Sequence, residues 1–132
     1  MSEDYAERLR KHLNRLKSKR ESNLDGAIRK VKEAAEMNTW SSNHVNCFRF
    51  TVGLGESEAH IRAKFERFLY WRLLGYSVAT EIRWAKEGGR SDLVVMSNNG
   101  EVFIEEIVVS EKEESLAAKV DKYPFDFKVI RV

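Results

Sequence analysis

Residues 88–109 read GGRSDLVVMSNNGEVFIEEIVV, and the fold is decided by how this stretch is read. Two runs rich in β-branched and aromatic residues, SDLVVM (91–96) and EVFIEEIVV (101–109), flank Ser97-Asn98-Asn99-Gly100. An Asn-Gly pair between two such runs predicts a β-hairpin, because both residues accept the positive φ that a tight hairpin turn demands. Acids interrupt both runs. Asp92 follows the turn Gly88-Gly89-Arg90 and opens Leu-Val-Val, while Glu105 and Glu106 split Val-Phe-Ile from Ile-Val-Val. Strand alternation sends Glu105 and Glu106 to opposite faces, so at most one of them points the way Asp92 does. Glu106 shares its face with Ile104 and Val108. A carboxylate inside a buried strand is costly unless something offsets its charge. Several such carboxylates converging on one point can hold Mg²⁺ or Mn²⁺ through oxygen ligands, and the cation removes that cost. A bound cation can then activate water against a phosphodiester.

Working outward, residues 57–74 predict a helix that Ser57 caps and Gly75 ends. Ile61, Phe65, Phe68, Leu69 and Leu73 fall on one face, with Glu58 at the centre of that face one turn earlier. Glu58 therefore asks for an explanation that Glu66 does not. His60 falls opposite and is expected to be exposed, and Glu81 in the strand-like run 76–84 is expected to face solvent, with a role as a fourth acid the alternative. Tyr70 and Trp71 fall off the apolar face and suit either base stacking or a second packing surface. Cys47 to Val52 suits a strand, broken by Gly53-Leu54-Gly55. Residues 111–122 predict a helix ended by Pro124, and 127–132 a last strand. The order from 57 onward is helix, three strands, helix, strand.

The N-terminal part differs in character. Residues 8–20 hold seven Lys or Arg and no acid: Arg8, Arg10, Lys11, Arg15, Lys17, Lys19 and Arg20. Tyr5, Leu9, Leu13 and Leu16 form a narrow helical seam through them. The seam resumes at Leu24, Ile28, Val31 and Ala35, which predicts one long helix or two broken near 22–26, where Gly26 weakens it. The expected division is a basic helical arm and connector over 1–46 and a core domain over 47–132. The arm suits phosphate contacts, and its Leu seam suits a homodimer.

Composition narrows the function classes. The chain has 132 residues, 42% hydrophobic and 33% charged, enough for one domain with a real core. The net charge is only +2, so binding to nucleic acid has to rest on charge distribution. A lone Cys47 excludes an internal disulfide and a Cys-based zinc site. No run approaches the ~20 apolar residues of a membrane span, and the N-terminus lacks a secretory pattern; a soluble, intracellular (cytoplasmic) protein is expected. Neither a phosphate-cradling GxxxxGK[ST] nor a complete dinucleotide loop occurs, so no nucleotide cofactor is expected.

With these pieces in place, residues 56–132 resemble the PD-(D/E)XK nuclease superfamily. The matching segments are ESEAHIRAK (56–64), GGRSDLVV (88–95) and IEEIVVSE (104–111), followed by the Ser115…Lys119…Lys122-Tyr123-Pro124 segment. The resemblance implies a restriction-endonuclease-like αβββαβ core of the α+β or α/β class, a mixed sheet flanked by helices. It implies metal-dependent DNA cleavage, with Asp92, Glu106 and the carbonyl of Ile107 as ligands to Mg²⁺ or Mn²⁺ and Glu58 completing the shell. Arg90 joins the arm cations as a DNA contact. The motif lysine is missing, because Val108 stands in its place. Lys119 is the expected substitute, with Lys112 and Lys122 behind it. The alternative implied by Val108 is a DNA-binding or assembly protein that kept the fold and lost the chemistry.

Overall fold

The computed structural model describes residues 4–36, 40–51, 56–86, 88–109 and 113–132. It is an α+β domain built on a mixed four-stranded sheet with helices against it. The elements are α1 (Tyr5–Ala34), α2 (Glu58–Leu73), β1 (Ser77–Arg83), β2 (Arg90–Met96), β3 (Val102–Val108), α3 (Glu113–Val120) and β4 (Asp126–Arg131). The sheet order is β1-β2-β3-β4. The first two pairings are antiparallel, and β4 lies parallel to β3 after the α3 crossover. The hairpin between β2 and β3 turns at Ser97–Gly100, where Gly100 takes φ +87° and donates its N–H to the Ser97 carbonyl at 3.1 Å.

α1 is one unbroken helix, capped by the Asp4 carboxylate on the Ala6 amide, so Gly26 interrupts nothing. Its C-terminal half packs Ala27 and Val31 against Ala79, Ile82, Trp84, Val94, Met96 and Ile104. The expected division at residue 46 thus runs through a shared core, to which Ala35 and Trp40 also belong. The N-terminal half is exposed along its length, including Tyr5, Leu9, Leu13 and Leu16. Neighbouring residues on a strand face opposite ways, so Leu93 and Val94 enter different clusters. Leu93 joins Val78, Ile107 and Ala63 beneath α2, with Phe68 and Trp71 covering them.

Two expectations for this region fail. Residues 47–51 form no strand; the segment runs beside β1, held by the Asn46 and Arg49 amides on the Val78 carbonyl and the Thr80 hydroxyl. The break expected at Gly53-Leu54-Gly55 lies outside the described residues. The apolar row on α2 is also not its buried face. Leu73 is 78% exposed, Phe65 and Leu69 are exposed too, and the helix turns Ala63 and Lys64 inward instead.

Candidate functional site

Asp92 and Glu106 meet where β2 and β3 come apart. The ladder between these strands ends at Leu93↔Glu105, and one step further would set Asp92 opposite Glu106. There the strand pairing gives way to side chains: the Ile107 N–H donates to Asp92 Oδ2 at 2.8 Å. The other oxygen, Oδ1, lies 3.2 Å from His60 Nε2. Glu106 is fully buried. Its Oε1 accepts from Lys119 Nζ at 2.6 Å and its Oε2 from the Tyr123 hydroxyl at 2.7 Å. Lys119 comes from α3 and Tyr123 from the turn after it, so the crossover brings both onto the strand end.

The two carboxyls differ sharply in proton affinity. Burial raises that of Glu106 first and the Asp92 charge raises it further, outweighing Lys119, so its pKa is pushed up to about 7. Burial also pushes Asp92 up, but the His60 and Glu106 hydrogen bonds and the Ile107 amide outweigh it and hold it below its ordinary value. His60 is raised, chiefly by its bond to Asp92, and its other ring nitrogen, Nδ1, lies 2.7 Å from Glu56 Oε1. With a carboxylate on each side, the ring is favoured in its doubly protonated form.

A second pair of acids adjoins the first. Glu56, two residues before α2, accepts from the Thr51 amide at 2.8 Å and pairs with Lys64 at 2.5 Å. Lys64 also reaches Glu81 at 3.1 Å. Burial would push the Glu56 carboxyl up, yet Lys64 and the Thr51 amide outweigh it and hold it below its ordinary value. Glu81 sits mid-strand with φ +55°, a left-handed conformation that is unfavourable for a residue with a side chain. That backbone turn has a visible consequence. Ala79 and Ile82 both face the α1 core although they are three positions apart, so the alternation resets between them. The reset lets Glu81 turn towards Lys64 while Ile82 and Trp84 stay in the core.

The expected site residues fall as follows. Asp92, Glu106 and Lys119 are brought together. The Ile107 amide, on the same strand end, faces Asp92. Glu58 is not part of the cluster: its side chain is 78% exposed and pairs with Arg62 on the surface at 2.7 Å. The apolar face that placed Glu58 inward is itself solvent-facing, and Glu56 is the acid that α2 delivers. His60 and Glu81, expected at the surface, are half-buried members of the site. Glu105 faces away, held by Arg67 in a two-pronged ion pair at 2.9 and 2.6 Å. Trp71 packs edge-on against Tyr76 and Phe103, the bland alternative to base stacking, while Tyr70 lies exposed over Arg67. Arg90 is exposed at the start of β2, two residues from Asp92, and the arm cations line the exposed half of α1. Glu56, His60 and Lys64 carry a signal in the sequence, since their spacing of four lines one side of a helix turn by turn. Tyr123 lies in the matching segment that ends at Pro124, but no role is expected of it.

The donor set suits a small, hard divalent cation: carboxylate oxygens in a partly enclosed site, with like charges adjacent. Each oxygen of Asp92 and Glu106 has a protein hydrogen-bond or ion-pair partner, and the two carboxyls also hydrogen-bond to each other. Among the described residues no group of three or more His, Cys, Asp or Glu is arranged to enclose a metal ion. Two carboxylates with water filling the remaining positions is the usual way Mg²⁺ is held. No helix among the described residues is long and apolar enough to cross a membrane. No protein-family model, curated protein or solved structure matches this chain, so the geometry alone carries the functional reading.

Proposed function

We propose that this chain is a metal-dependent DNA endonuclease on the PD-(D/E)XK plan, with the motif lysine supplied from α3 rather than from β3. The observation that carries the reading is Lys119 Nζ at 2.6 Å from Glu106, the acid that adjoins Asp92 and lies two positions before the Val108 that replaces the motif lysine. The element order and the mixed sheet support the same plan.

Asp92 and Glu106 would hold Mg²⁺ or Mn²⁺, with the Ile107 carbonyl on the same strand end as a further oxygen. The cation, when bound, would sharpen a water into a nucleophile and neutralise charge building on the phosphate. The protein's own part is to fix the donors. His60, the Ile107 amide, Lys119 and Tyr123 each hold one carboxylate oxygen, which sets the orientation of both acids before substrate arrives. Lys119 also places a positive charge and proton donors beside the position an attacking water would take. Arg90 and the arm residues Arg8, Arg10, Lys11, Arg15, Lys17, Lys19 and Arg20 would contact phosphates, which makes DNA binding steeply salt-dependent.

One observation favours a second reading, a DNA-binding protein without cleavage: every oxygen of Asp92 and Glu106 already has a partner from the protein. Labelled duplex, single-stranded and branched DNA incubated with and without Mn²⁺ separates the two. Cleavage that requires Mn²⁺ and vanishes in Asp92→Ala and Lys119→Ala supports the nuclease. Salt-sensitive binding with no cleavage of any substrate supports the second reading.

A further inference from the structure

The outer side of α2 and the turn that ends it form an apolar surface. Phe65, Leu69, Leu73 and Leu74 are 46%, 43%, 78% and 56% exposed. The segment before α2 enlarges this surface. Phe50, half exposed, lies 5.7 Å ring to ring from Phe48, and Phe48 lies 5.1 Å from Phe65. Together these side chains present roughly 500 Å² of apolar area, towards the upper end of what a monomer exposes and of the kind that marks a binding surface. Folding of the chain does not account for it, because α2 is docked by its other side: Ala63, Lys64, Arg67 and Trp71 meet the sheet.

Charge selects what this surface takes. At about 100° per residue, Leu69 is the middle of the exposed side, with Phe65 and Leu73 about 40° to either side of it. The three form one ridge of residues spaced by four, the kind that packs into the groove of a second helix. Glu66 and Arg72 lie about 60° from Leu69 on opposite flanks of that ridge. A two-fold axis running along the ridge sets Leu69 against the partner's Leu69, and Glu66 of each copy beside the partner's Arg72. The flanks of the stripe therefore attract a second copy of the same stripe. The other exposed apolar stripe, Tyr5, Leu9, Leu13 and Leu16 on α1, does the opposite. Residues 8–20 around it hold seven Lys or Arg and no acid, so two copies laid along it repel. Area agrees with this choice. A standard interface buries about 800 Å² on each partner, so the α2 patch with its charged flanks makes up most of one dimer face.

We infer that the outer side of α2 is the interface of a homodimer, in which Phe65, Leu69 and Leu73 of one chain pack on the same ridge of a second copy. The acids and lysines of the candidate site lie on the inner side of the same helix, so this inference stands or falls apart from the nuclease reading.

The test is sedimentation of the full chain in a metal chelator and without DNA, over loading concentrations of about 1 to 100 μM, the range in which a standard-sized interface dissociates. The expected mass is that of two chains. Leu69→Glu and Leu73→Glu should each raise the dissociation constant at least about tenfold, as loss of a central contact does, with circular dichroism unchanged because both side chains face solvent. Should Leu69→Glu fail to fold, Leu73→Glu decides. Glu66→Arg, which sets like charges on both flanks, should weaken the dimer several-fold. Leu13→Glu, on the α1 stripe, should leave the dissociation constant within about threefold of the parent. A single-chain mass at every concentration, a dimer that a folded Leu73→Glu leaves intact, equal affinity in Glu66→Arg and the parent, or a dimer lost in Leu13→Glu would each overturn the inference.

Discussion

The two sides of the sheet are built on different principles. On the α1 side, Ala27, Val31, Ile82, Val94, Met96 and Ile104 close into an apolar cluster. On the α2 side, the inward stripe reads Glu56, His60, Lys64, Arg67 and Trp71, and only a small cluster of Ala63, Val78, Leu93 and Ile107 lies beneath it. Burial of apolar side chains stabilises at about 25 cal/mol per Å², so the first side supplies most of the folding free energy. Buried ion pairs roughly break even against the water they displace. The α2 side therefore adds little stability for the number of charges it orders. Charges kept in place at so little gain in stability are what a chemical site requires.

The comparison breaks most sharply at Asp92, which alternation along β2 puts on the face of Val94 and which His60 ties to the α2 side. Asp92→Asn should lower Mn²⁺-dependent cleavage by about a thousandfold, the size expected when a group central to charge stabilisation is removed. The melting temperature should shift by only a few degrees, because the amide keeps the volume and can still accept from the Ile107 amide. A collapse of the fold in this variant would show that the α2 side is structural after all. Ile104→Ala gives the mirror result. Truncating a fully buried side chain in the apolar cluster should cost about 3 kcal/mol in denaturant unfolding, with turnover per folded molecule unchanged. An Ile104→Ala protein of parental stability would mean that the α1 side is not the main core.

The pH dependence of stability sharpens the contrast without mutation. In the folded protein Glu106 holds its proton up to about pH 7, against an ordinary value of 4.5. The native state thus binds more protons than the unfolded chain between those values, and stability must fall as pH rises through them. The fall is at most about 3.5 kcal/mol, from ~1.4 kcal/mol per pKa unit. His60 acts in the same direction. Its raised pKa contributes stability below its ordinary 6.5 that is lost as pH rises past the folded value. Asp92, held low, loses its contribution only as pH falls below its ordinary 3.8. Resistance to urea in a metal chelator should therefore be greatest near pH 5 and lower at pH 8, and saturating Mg²⁺ should flatten that decline. A decline that persists unchanged in Mg²⁺ would place the titrating pair away from the cation.

The apolar seam of α1 and the order of elements from 57 onward were legible in the sequence because they obey simple periodicities, although the division expected at residue 46 left α1 out of the core that it joins. The hairpin at Asn99-Gly100, the alternation of β3 and the helix end at Gly75 follow from local backbone preference. The α2 side was not legible, for a physical reason. Hydrophobic periodicity assumes that the apolar face of a helix is the buried one. Along α2, Phe65, Leu69 and Leu73 are exposed and Ile61 and Phe68 only half-buried, while Ala63 and Lys64 face in, so the rule points the helix away from its most buried side. Glu81 escaped for a related reason, since strand alternation cannot anticipate a residue at positive φ. Lys119 was reachable because Val108 left a vacancy in a recognised pattern and the crossover helix was the nearest source of a cation.

Glu56 and Glu58 differ by two positions and give the finest form of the same comparison. Among the described residues Glu58 pairs with Arg62, and both side chains are about three-quarters exposed (78% and 74%). Surface pairs of this kind contribute under ~0.5 kcal/mol and nothing specific to chemistry. Glu58→Gln should leave stability, Mn²⁺ affinity and cleavage within error of the parent. Glu56→Gln keeps the shape of the side chain but leaves Lys64 with one carboxylate and His60 with one. It should lower stability by roughly 1–3 kcal/mol, since a buried charge loses part of its pairing. It should also lower cleavage more than Glu58→Gln does, because His60 no longer holds Asp92 against a fixed acid. The difference between the two variants, measured side by side by denaturation and turnover, tests whether α2 is oriented by its charged row. Equal effects would mean that it is oriented by its apolar one.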